Sequence, residues 1–281
     1  MRESAHRQVE ELMTNYGRID LLWYDGWYWE HGRGRLWPGL ARPRARTFWR
    51  AEALNARVRR LQPHILINDR SGPREDFGTP EQRVEAEREG RAWETCMTIG
   101  RQWGFTRYDS QRKTPQQILG QMVEAVSQGG NFLLNIGPRP DGSVDPRDRR
   151  TLEAIGRCVH AQAPAFYGDL RPAAQWWVLN GRIAQSGRTL FYYLLEWPGP
   201  EAPLAELISP VRSARLMATG ARLRTRRDAA GRTLIELPPR PPTPDAIHVV
   251  RLDFDAEPRF RKTPTCCWPT EATPAPRDPA G

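Results

Sequence analysis

Short apolar runs alternate with helical patterns through the first part of the chain, and this alternation limits the possible folds more than any other feature. The runs typical of buried strands are residues 19–24, 64–69, 93–99 and 131–136. The helical patterns cover residues 4–16, 45–61, 114–127 and 145–161. Strands that alternate with helices form parallel sheets, because each connection must cross the face of the sheet. The sequence therefore predicts an α/β arrangement in which the carboxyl ends of neighbouring strands share one edge.

These strand–helix pairs are too few for a closed barrel. A (β/α)8 barrel needs eight of them, and the pattern supplies only about four. Two of the helices have clear starts, at Thr114-Pro115 and Asp145-Pro146, where a capping residue is followed by proline. We therefore expect residues 1–168 to form a partial (β/α)8-type barrel.

The pattern changes near Tyr167-Gly168, where helical periodicity ends. Short strand-like segments follow at 176–179, 189–196, 214–217, 233–237 and 246–252, separated by glycine and proline. Such a series predicts a small antiparallel β-sandwich over residues 169–255. The polar, proline-rich residues 256–281 are expected to be a disordered tail.

Charge and composition narrow the classes of function. The chain carries a formal net charge of +9, but its arginines are scattered and match no nucleic-acid module, so no nucleic-acid partner is predicted. The apolar runs are far too short to span a bilayer. The four cysteines lack the spacing of a metal site, so neither a metal nor another cofactor is expected. The polar N-terminal residues do not resemble a secretory signal, and localisation stays open.

Asp25 is the first candidate catalytic residue, because it ends an apolar strand among aromatic side chains. Its neighbours are Trp23, Tyr24 and the aromatic residues at 27–29. The carboxyl ends of barrel strands face the active site, and a carboxylate beside rings that can stack on a sugar suits a glycosidase. An equally good interpretation from the residues alone is a strand-end aspartate that accepts backbone hydrogen bonds in the turn at Gly26.

A second carboxylate is harder to choose, because several glutamates follow the second strand. Glu81 lies in the segment DFGTPEQ, and its rivals are Glu75, Glu85, Glu87 and Glu94. The run EAERE, which contains two of these rivals, is more typical of a solvated surface than of a site. Spacing alone does not select Glu81.

Five motifs in one order along residues 8–168 resemble the α-L-fucosidases of glycoside hydrolase family twenty-nine. They are LLWYDG, INDR, DFGTPEQ, WETCMTIGRQWGF and NFLLNIGPRPDG. The resemblance implies a retaining exo-glycosidase that hydrolyses terminal α-L-fucosyl linkages of glycoconjugates. It also implies a fucosylated glycan as the substrate and no cofactor.

The resemblance gives roles to individual residues. Asp25 matches the nucleophile of the family, and Glu81 matches its general acid/base. Trp23, Arg70 and Trp103 match residues that line the fucose pocket.

Other roles stay open for some of these residues. Arg70 could form a structural ion pair with Asp69 or Asp76, and the tryptophans at 23 and 103 could simply pack in a core. Glu94 is the second choice for the acid/base.

The front of the family's barrel, which supplies several histidines and a tryptophan to the fucose site, has no counterpart among these motifs. The histidines of this chain, at 6, 31, 64, 160 and 248, lie outside the matching segments. We therefore expect residues 1–168 to be the second half of a glycosidase catalytic domain, and the chain to be a fragment that is poorly soluble or inactive alone. The alternative is a non-catalytic carbohydrate-binding remnant. The oligomeric state is not predicted.

Overall fold

The chain folds into two compact units, which divide between Pro172 and Ala173, close to the predicted boundary at residue 168. We call them the α/β unit, which contains Met1–Pro172, and the β unit, which begins at Ala173. The computed structural model describes residues 1–26, 47–87, 90–243 and 246–261, without the side chains of 175–177. None of the helices in these ranges is long and apolar enough to cross a membrane.

Helices and parallel strands alternate over most of the α/β unit, as predicted. In chain order they include α1 (Arg2–Asn15), β1 (Leu21–Leu22), α2 (Ala51–Leu61), β2 (Leu66–Ile67), β3 (Phe77–Gly78), β4 (Ala92–Thr98), α3 (Pro115–Ser127), β5 (Asn131–Asn135) and α4 (Pro146–Ala161). Three strands, β2 to β4, follow one another without an α-helix between them in the described residues. Strand β1 pairs with β2, β3 with β4, and β4 with β5, all in parallel. A single parallel bridge between Asn68 and Phe77 joins the two groups in sequence order.

The two faces of the β1–β2 pair have different surroundings. Leu22 and Ile67, which are register partners, face a core that α1 and α2 also supply, and Ile67 is fully buried there. Their neighbours Leu21 and Leu66 are also register partners, and alternation places them on the opposite face. Leu21 is 44% exposed and Leu66 is 49% exposed, so this apolar face has little cover.

The predicted helix starts are confirmed. At the start of α3, the hydroxyl of Thr114 accepts a hydrogen bond from the backbone N–H of Gln117 at 3.2 Å, and the Gln117 side chain accepts one from Thr114 N–H at 2.8 Å. At the start of α4, the Asp145 carboxylate accepts one from the backbone N–H of Arg147 at 2.8 Å. Each cap satisfies backbone donors that the first turn of a helix leaves unpaired.

Strands β4 and β5 pack closely because of one glycine between α3 and β5. A Cβ atom on Gly130 would lie 2.3 Å from ring atoms of Trp93, the second residue of β4. Trp93 is 4% exposed. The predicted strand at 93–99 therefore packs its large aromatic residue directly on the backbone of its neighbour.

The β unit contains two antiparallel sheets that share one core. Its strands are β6 (Arg171–Val178), which begins at the division, β7 (Gly181–Ser186), β8 (Thr189–Leu194), β9 (Glu201–Leu204), β10 (Ser213–Leu216), β11 (Arg222–Leu223), β12 (Thr225–Arg227), β13 (Thr233–Glu236) and β14 (His248–Asp253). The larger sheet has the order β11-β10-β14-β8-β7-β6, and the smaller has the order β12-β13-β9. Tyr192 of the larger sheet and Ile235 of the smaller belong to one buried apolar cluster. This arrangement agrees with the predicted small antiparallel sandwich.

Parts of the β unit differ from the sequence prediction, which also missed the short strands β9, β11 and β12. Strand β7 has too few apolar residues to be predicted, yet it pairs with β8 along its whole length through a two-residue turn at Gly187. The predicted tail also begins too early. Phe260 forms a bridge with Leu207, and Arg261 N–H donates to the carbonyl of Glu206 at 2.7 Å. The rest of the predicted tail lies outside the described residues.

Candidate active site

Three polar residues project from equivalent places on three parallel strands. Asp25, Arg70 and Glu81 lie three residues beyond the ends of β1, β2 and β3, respectively. Because the strands are parallel, these positions share the carboxyl edge of the sheet. The structure therefore brings both predicted carboxylates and the predicted pocket arginine to one place.

Arg70 joins the two carboxylates. Its Nη1 lies 3.0 Å from Oδ1 of Asp25, and its Nη2 lies 3.0 Å from Oε2 of Glu81. Since both oxygens contact terminal nitrogens of one planar guanidinium, they can lie no more than about 8 Å apart. The Arg70 side chain is only 10% exposed, whereas those of Asp25 and Glu81 are 56% and 43% exposed. The buried guanidinium of Arg70 thus contacts two accessible carboxylates, which come from two different strand ends.

The guanidinium of Arg70 is itself fixed on two sides. Its Nε donates to the Thr79 hydroxyl at 2.9 Å, and its Nη2 donates to the Thr79 carbonyl at 3.3 Å. Its Cζ lies 4.5 Å from the ring centroid of Trp23, within the range of a cation–π contact. These contacts fix the orientation of the guanidinium plane. Its two terminal nitrogens therefore hold the carboxylates of Asp25 and Glu81 in defined positions.

Trp23 is placed behind Arg70 by a carboxylate from another strand. The indole N–H of Trp23 donates to Oε1 of Glu94 in β4 at 3.1 Å. Glu94, the second choice for the acid/base, therefore contacts Trp23, a predicted pocket residue, rather than Arg70. Its position favours a role in orienting Trp23.

A buried asparagine determines where Asp25 emerges from the sheet. Asn68 is fully buried, and its side chain makes two hydrogen bonds with the backbone of Tyr24. Its Oδ1 accepts from Tyr24 N–H at 3.0 Å, and its Nδ2 donates to the Tyr24 carbonyl at 2.9 Å. Sequence reasoning noted the INDR motif but gave Asn68 no role, because nothing in the pattern shows which backbone it bonds.

Glu81 is held by backbone pairing with β4. It forms a parallel bridge with Cys96, in which Gln82 N–H donates to the Cys96 carbonyl and Cys96 N–H donates to the carbonyl of Pro80, both at 2.9 Å. Cys96 is 3% exposed, and burial raises the pKa of its thiol to about 11, against the opposing effect of the nearby Arg70 charge. This cysteine is therefore a core residue beneath the site.

The two aspartates offered as structural partners of Arg70 pair elsewhere. Asp76 contacts Arg59 at 2.9 Å, and Asp69 contacts Arg91 at 3.6 Å. The ion pairs of Arg70 instead involve the two predicted catalytic carboxylates.

Trp103 lies in the loop after β4 and is 39% exposed. The side chain of Asn135, at the end of β5, donates to the Trp103 carbonyl at 2.7 Å. A Cβ on Gly137 would lie 2.4 Å from the backbone nitrogen of Phe105, so only glycine allows this close approach. The loop is thus tied to the carboxyl edge of β5, although no contact in the described ranges joins Trp103 to Asp25 or Glu81.

Some predictions concern residues or groups that the structure does not describe. The aromatic residues Trp27, Tyr28 and Trp29 lie outside the described residues. Within the described ranges, no three His, Cys, Asp or Glu side chains gather in a way that could hold a metal ion.

Comparison with known proteins gives one consistent family. A family model described as alpha-L-fucosidase matches residues 2–163. The structure of alpha-L-fucosidase isoenzyme 1 from Paenibacillus thiaminolyticus superposes with a TM-score of 0.76 at 29% identity, covering 93% of this chain and 62% of that one. Tissue alpha-L-fucosidase of Bos taurus is 26% identical over 229 residues, which is 75% of this chain and 44% of the relative. That of Mus musculus is 26% identical over 271 residues, or 86% of this chain and 54% of the relative.

The chain therefore spans about half the length of the curated relatives it matches. The family model nevertheless covers more than half of the chain itself, including every element from α1 to α4. By this match, the chain belongs to the α-L-fucosidase family.

Proposed function

We propose that this chain carries the nucleophile and the general acid/base of a retaining exo-α-L-fucosidase, which releases terminal α-L-fucose from a fucosylated glycan. In this proposal Asp25 is the nucleophile and Glu81 is the acid/base. Arg70, Trp23 and Trp103 line the fucose pocket. The observation that supports the proposal best is the shared contact of Arg70 with both carboxylates.

The separation required by the chemistry is consistent with this geometry. Retaining glycosidases place their two carboxyl groups about 5–5.5 Å apart, so that one attacks while the other protonates. The common guanidinium keeps Asp25 and Glu81 within a range that includes this distance. Both carboxylates are accessible, as contact with a sugar requires.

Each proposed step uses one carboxyl group in a defined way. In the first step, a carboxylate oxygen of Asp25 forms a bond to the anomeric carbon as the bond to the glycosidic oxygen breaks, and Glu81 gives its proton to that oxygen. In the second step, Glu81 takes a proton from water, whose oxygen attacks the same carbon and releases Asp25. Two displacements at one carbon retain its configuration.

We also propose that the parallel strands are part of a (β/α)8 barrel. Strands β1 to β5 follow one another in sequence order, all parallel, which is the strand order of such barrels. The exposed leucines Leu21 and Leu66 lie on the face turned away from the helices, where a barrel would have its interior.

The test is hydrolysis of an aryl α-L-fucoside by this chain and by a chimera in which it replaces the matching part of the Paenibacillus relative. Asp25→Ala should lower turnover by several orders of magnitude, and Glu81→Ala by about 10²–10⁴-fold. Glu85→Ala is the matched control, because Glu85 is 63% exposed and pairs with Arg83. If Asp25→Ala retained its turnover, the assignment of the nucleophile would be wrong.

Added azide separates the two roles. In Glu81→Ala, azide can attack the glycosyl-enzyme without help from a base, so the fucosyl azide should keep the configuration of the substrate. In Asp25→Ala, azide should attack the substrate directly and give the opposite configuration. Nuclear magnetic resonance of the product distinguishes these outcomes, and the reverse pattern would exchange the roles.

The little-covered sheet face favours a second candidate, a carbohydrate-binding remnant without catalysis. Leu21 and Leu66 would lie in the interior of a complete barrel, yet both are largely exposed. Binding of fucosylated glycans to the chain, with no hydrolysis by the chain or by a folded chimera, would support this candidate over the first.

A further inference from the structure

A row of arginines crosses three adjacent strands of the larger sheet in the β unit. Arg222 of β11 is the register partner of Arg215 in β10, and Arg215 is the register partner of Arg251 in β14. We call these three residues the arginine row. On the same strands, Leu216 and Leu252 belong to the buried cluster between the sheets. Alternation along a strand therefore places the arginine row on the face away from that core.

Fold stability does not explain this arrangement. Neighbouring strands lie about 4.8 Å apart, and like charges directly opposite each other are destabilising. In the described part of the chain, neither Arg215 nor Arg222 contacts a carboxylate, and both are exposed. Residues of mixed charge at these positions would keep the surface soluble without placing like charges opposite one another.

One carboxylate, that of Asp253, orients Arg251 and offsets one of the three positive charges of the row. Asp253 accepts from the Ser213 hydroxyl at 2.9 Å, from the Thr189 hydroxyl at 3.0 Å and from Nε of Arg251 at 2.9 Å. These hydrogen bonds keep the pKa of Asp253 below its usual value despite the opposing effect of burial. Because Asp253 contacts Arg251 through Nε, the terminal nitrogens of Arg251 are left for another partner.

The row also borders a concave surface. A cavity of about 470 Å³ is lined by Arg212, Ser213, Arg215, Arg251 and Asp253. A smaller one of about 200 Å³ adjoins it and adds both Arg188 and Asp255 to the lining. Asp255 pairs with Arg212 at 3.6 Å, so Arg212 is not counted in the row. Cavities of the larger size are in the range that holds a small ligand.

We propose that the arginine row and its cavity bind an anionic sugar, one that carries a sulfate ester or a carboxylate. Arginine donates paired hydrogen bonds to such oxyanions in a fixed fork geometry. Three arginines on successive strands cover about 10 Å, which suits one or two anionic groups of a disaccharide. The site would hold an anionic part of a glycan, and the choice of a glycan rests on the proposed function.

The neighbouring residues argue against a nucleic acid at this site. Proteins that bind single strands stack bases on exposed aromatic side chains. The aromatic residues beside the row are buried: Phe191, the register partner of Arg251, is 4% exposed and Phe254 is 2% exposed.

The test is a binding measurement by titration calorimetry with the unmodified chain. The probes are a sulfated disaccharide, a disaccharide that contains a uronate, the corresponding neutral disaccharide, inorganic sulfate and a short single-stranded DNA. The test variant is Arg215→Gln with Arg222→Gln. The control variant is Arg150→Gln with Arg240→Gln, which removes the same charge from exposed positions outside the row.

We expect the chain to bind at least one anionic disaccharide, the test variant to bind it at least about tenfold more weakly, and the control to differ less than about twofold. The variant Arg215→Lys with Arg222→Lys keeps the charge but loses the paired donors of the guanidinium, so its affinity should fall between those of the two glutamine variants. Equal losses in both glutamine variants would overturn the proposal, as would no binding of either anionic sugar or tighter row-dependent binding of the DNA. Fucoside hydrolysis is not part of this measurement, so failure here would leave the proposed function untouched. Failure of the hydrolysis test would be seen separately and would remove only the reason for choosing a glycan.

Discussion

Replacement of Asn68 by alanine should destabilise the α/β unit through the backbone that precedes Asp25. The side chain of Asn68 is fully buried and satisfies both the N–H and the carbonyl of Tyr24, at 3.0 and 2.9 Å. Alanine removes both partners at once. An unsatisfied buried polar group costs about 1–3 kcal/mol, so the two together should lower the free energy of unfolding by about 2–6 kcal/mol.

Differential scanning calorimetry measures this effect, because it can resolve the transitions of two units. For a unit of this size, each kcal/mol corresponds to about 2–4 °C, so the transition of the α/β unit should fall by at least about 4 °C. The control is Asn131→Ala, the same chemical change at an exposed position in the same unit, which should cost less than about 0.5 kcal/mol. If both variants unfolded at the same temperature, the inferred role of Asn68 in holding the end of β1 would be refuted.

Three further outcomes follow from local contacts. Gly130→Ala should destabilise the chain by more than about 2 kcal/mol, because the added carbon would overlap an aromatic ring, whereas Gly120→Ala, in open space within α3, should stabilise it by up to about 1 kcal/mol in urea unfolding. The hydrogen bonds from Arg147 hold the pKa of Asp145 well below its usual range. Its stabilisation is therefore complete above the usual pKa and lost as pH falls through the lowered one, so Asp145→Asn should cost more stability at pH 7 than at pH 2, and an equal cost at both would contradict this. Cys96 should resist alkylation at pH 8 in the native chain and react after unfolding, as peptide mapping would show, because its thiol has a raised pKa and is buried.

The parts of the fold that sequence reasoning located were those with their own local signals. Strands β4 and β5 lie close to the predicted ranges, because each is an apolar run with glycine or proline on both sides. Strands β3 and β7 carry no such signal. Phe77–Gly78 is a strand only because β4 lies beside it, and β7 is one only because β8 pairs with it. Their pairing depends on distant parts of the chain, which no local pattern records.

The site shows the same division between local and distant information. The motifs indicated Asp25, Glu81 and Arg70, but the residues alone could not separate a catalytic group from a structural ion pair. Arg70 could have paired with an aspartate one position away, yet it turns to the carboxylates of two other strand ends. The asparagine at 68 was missed because its partners are backbone atoms 44 residues earlier in the chain.

In the described part of the sheet, one bridge between Asn68 and Phe77 joins a first group of strands, β1 and β2, to a second group, β3 to β5. Asp25 follows the first group of strands and Glu81 follows the second, so any shift between the two groups changes the distance between these carboxylates. Arg70 follows β2 in the first group, and its hydrogen bonds to Thr79, which follows β3 in the second group, restrain such a shift. A substitution that weakens these hydrogen bonds would therefore change the distance between Asp25 and Glu81 without altering either side chain.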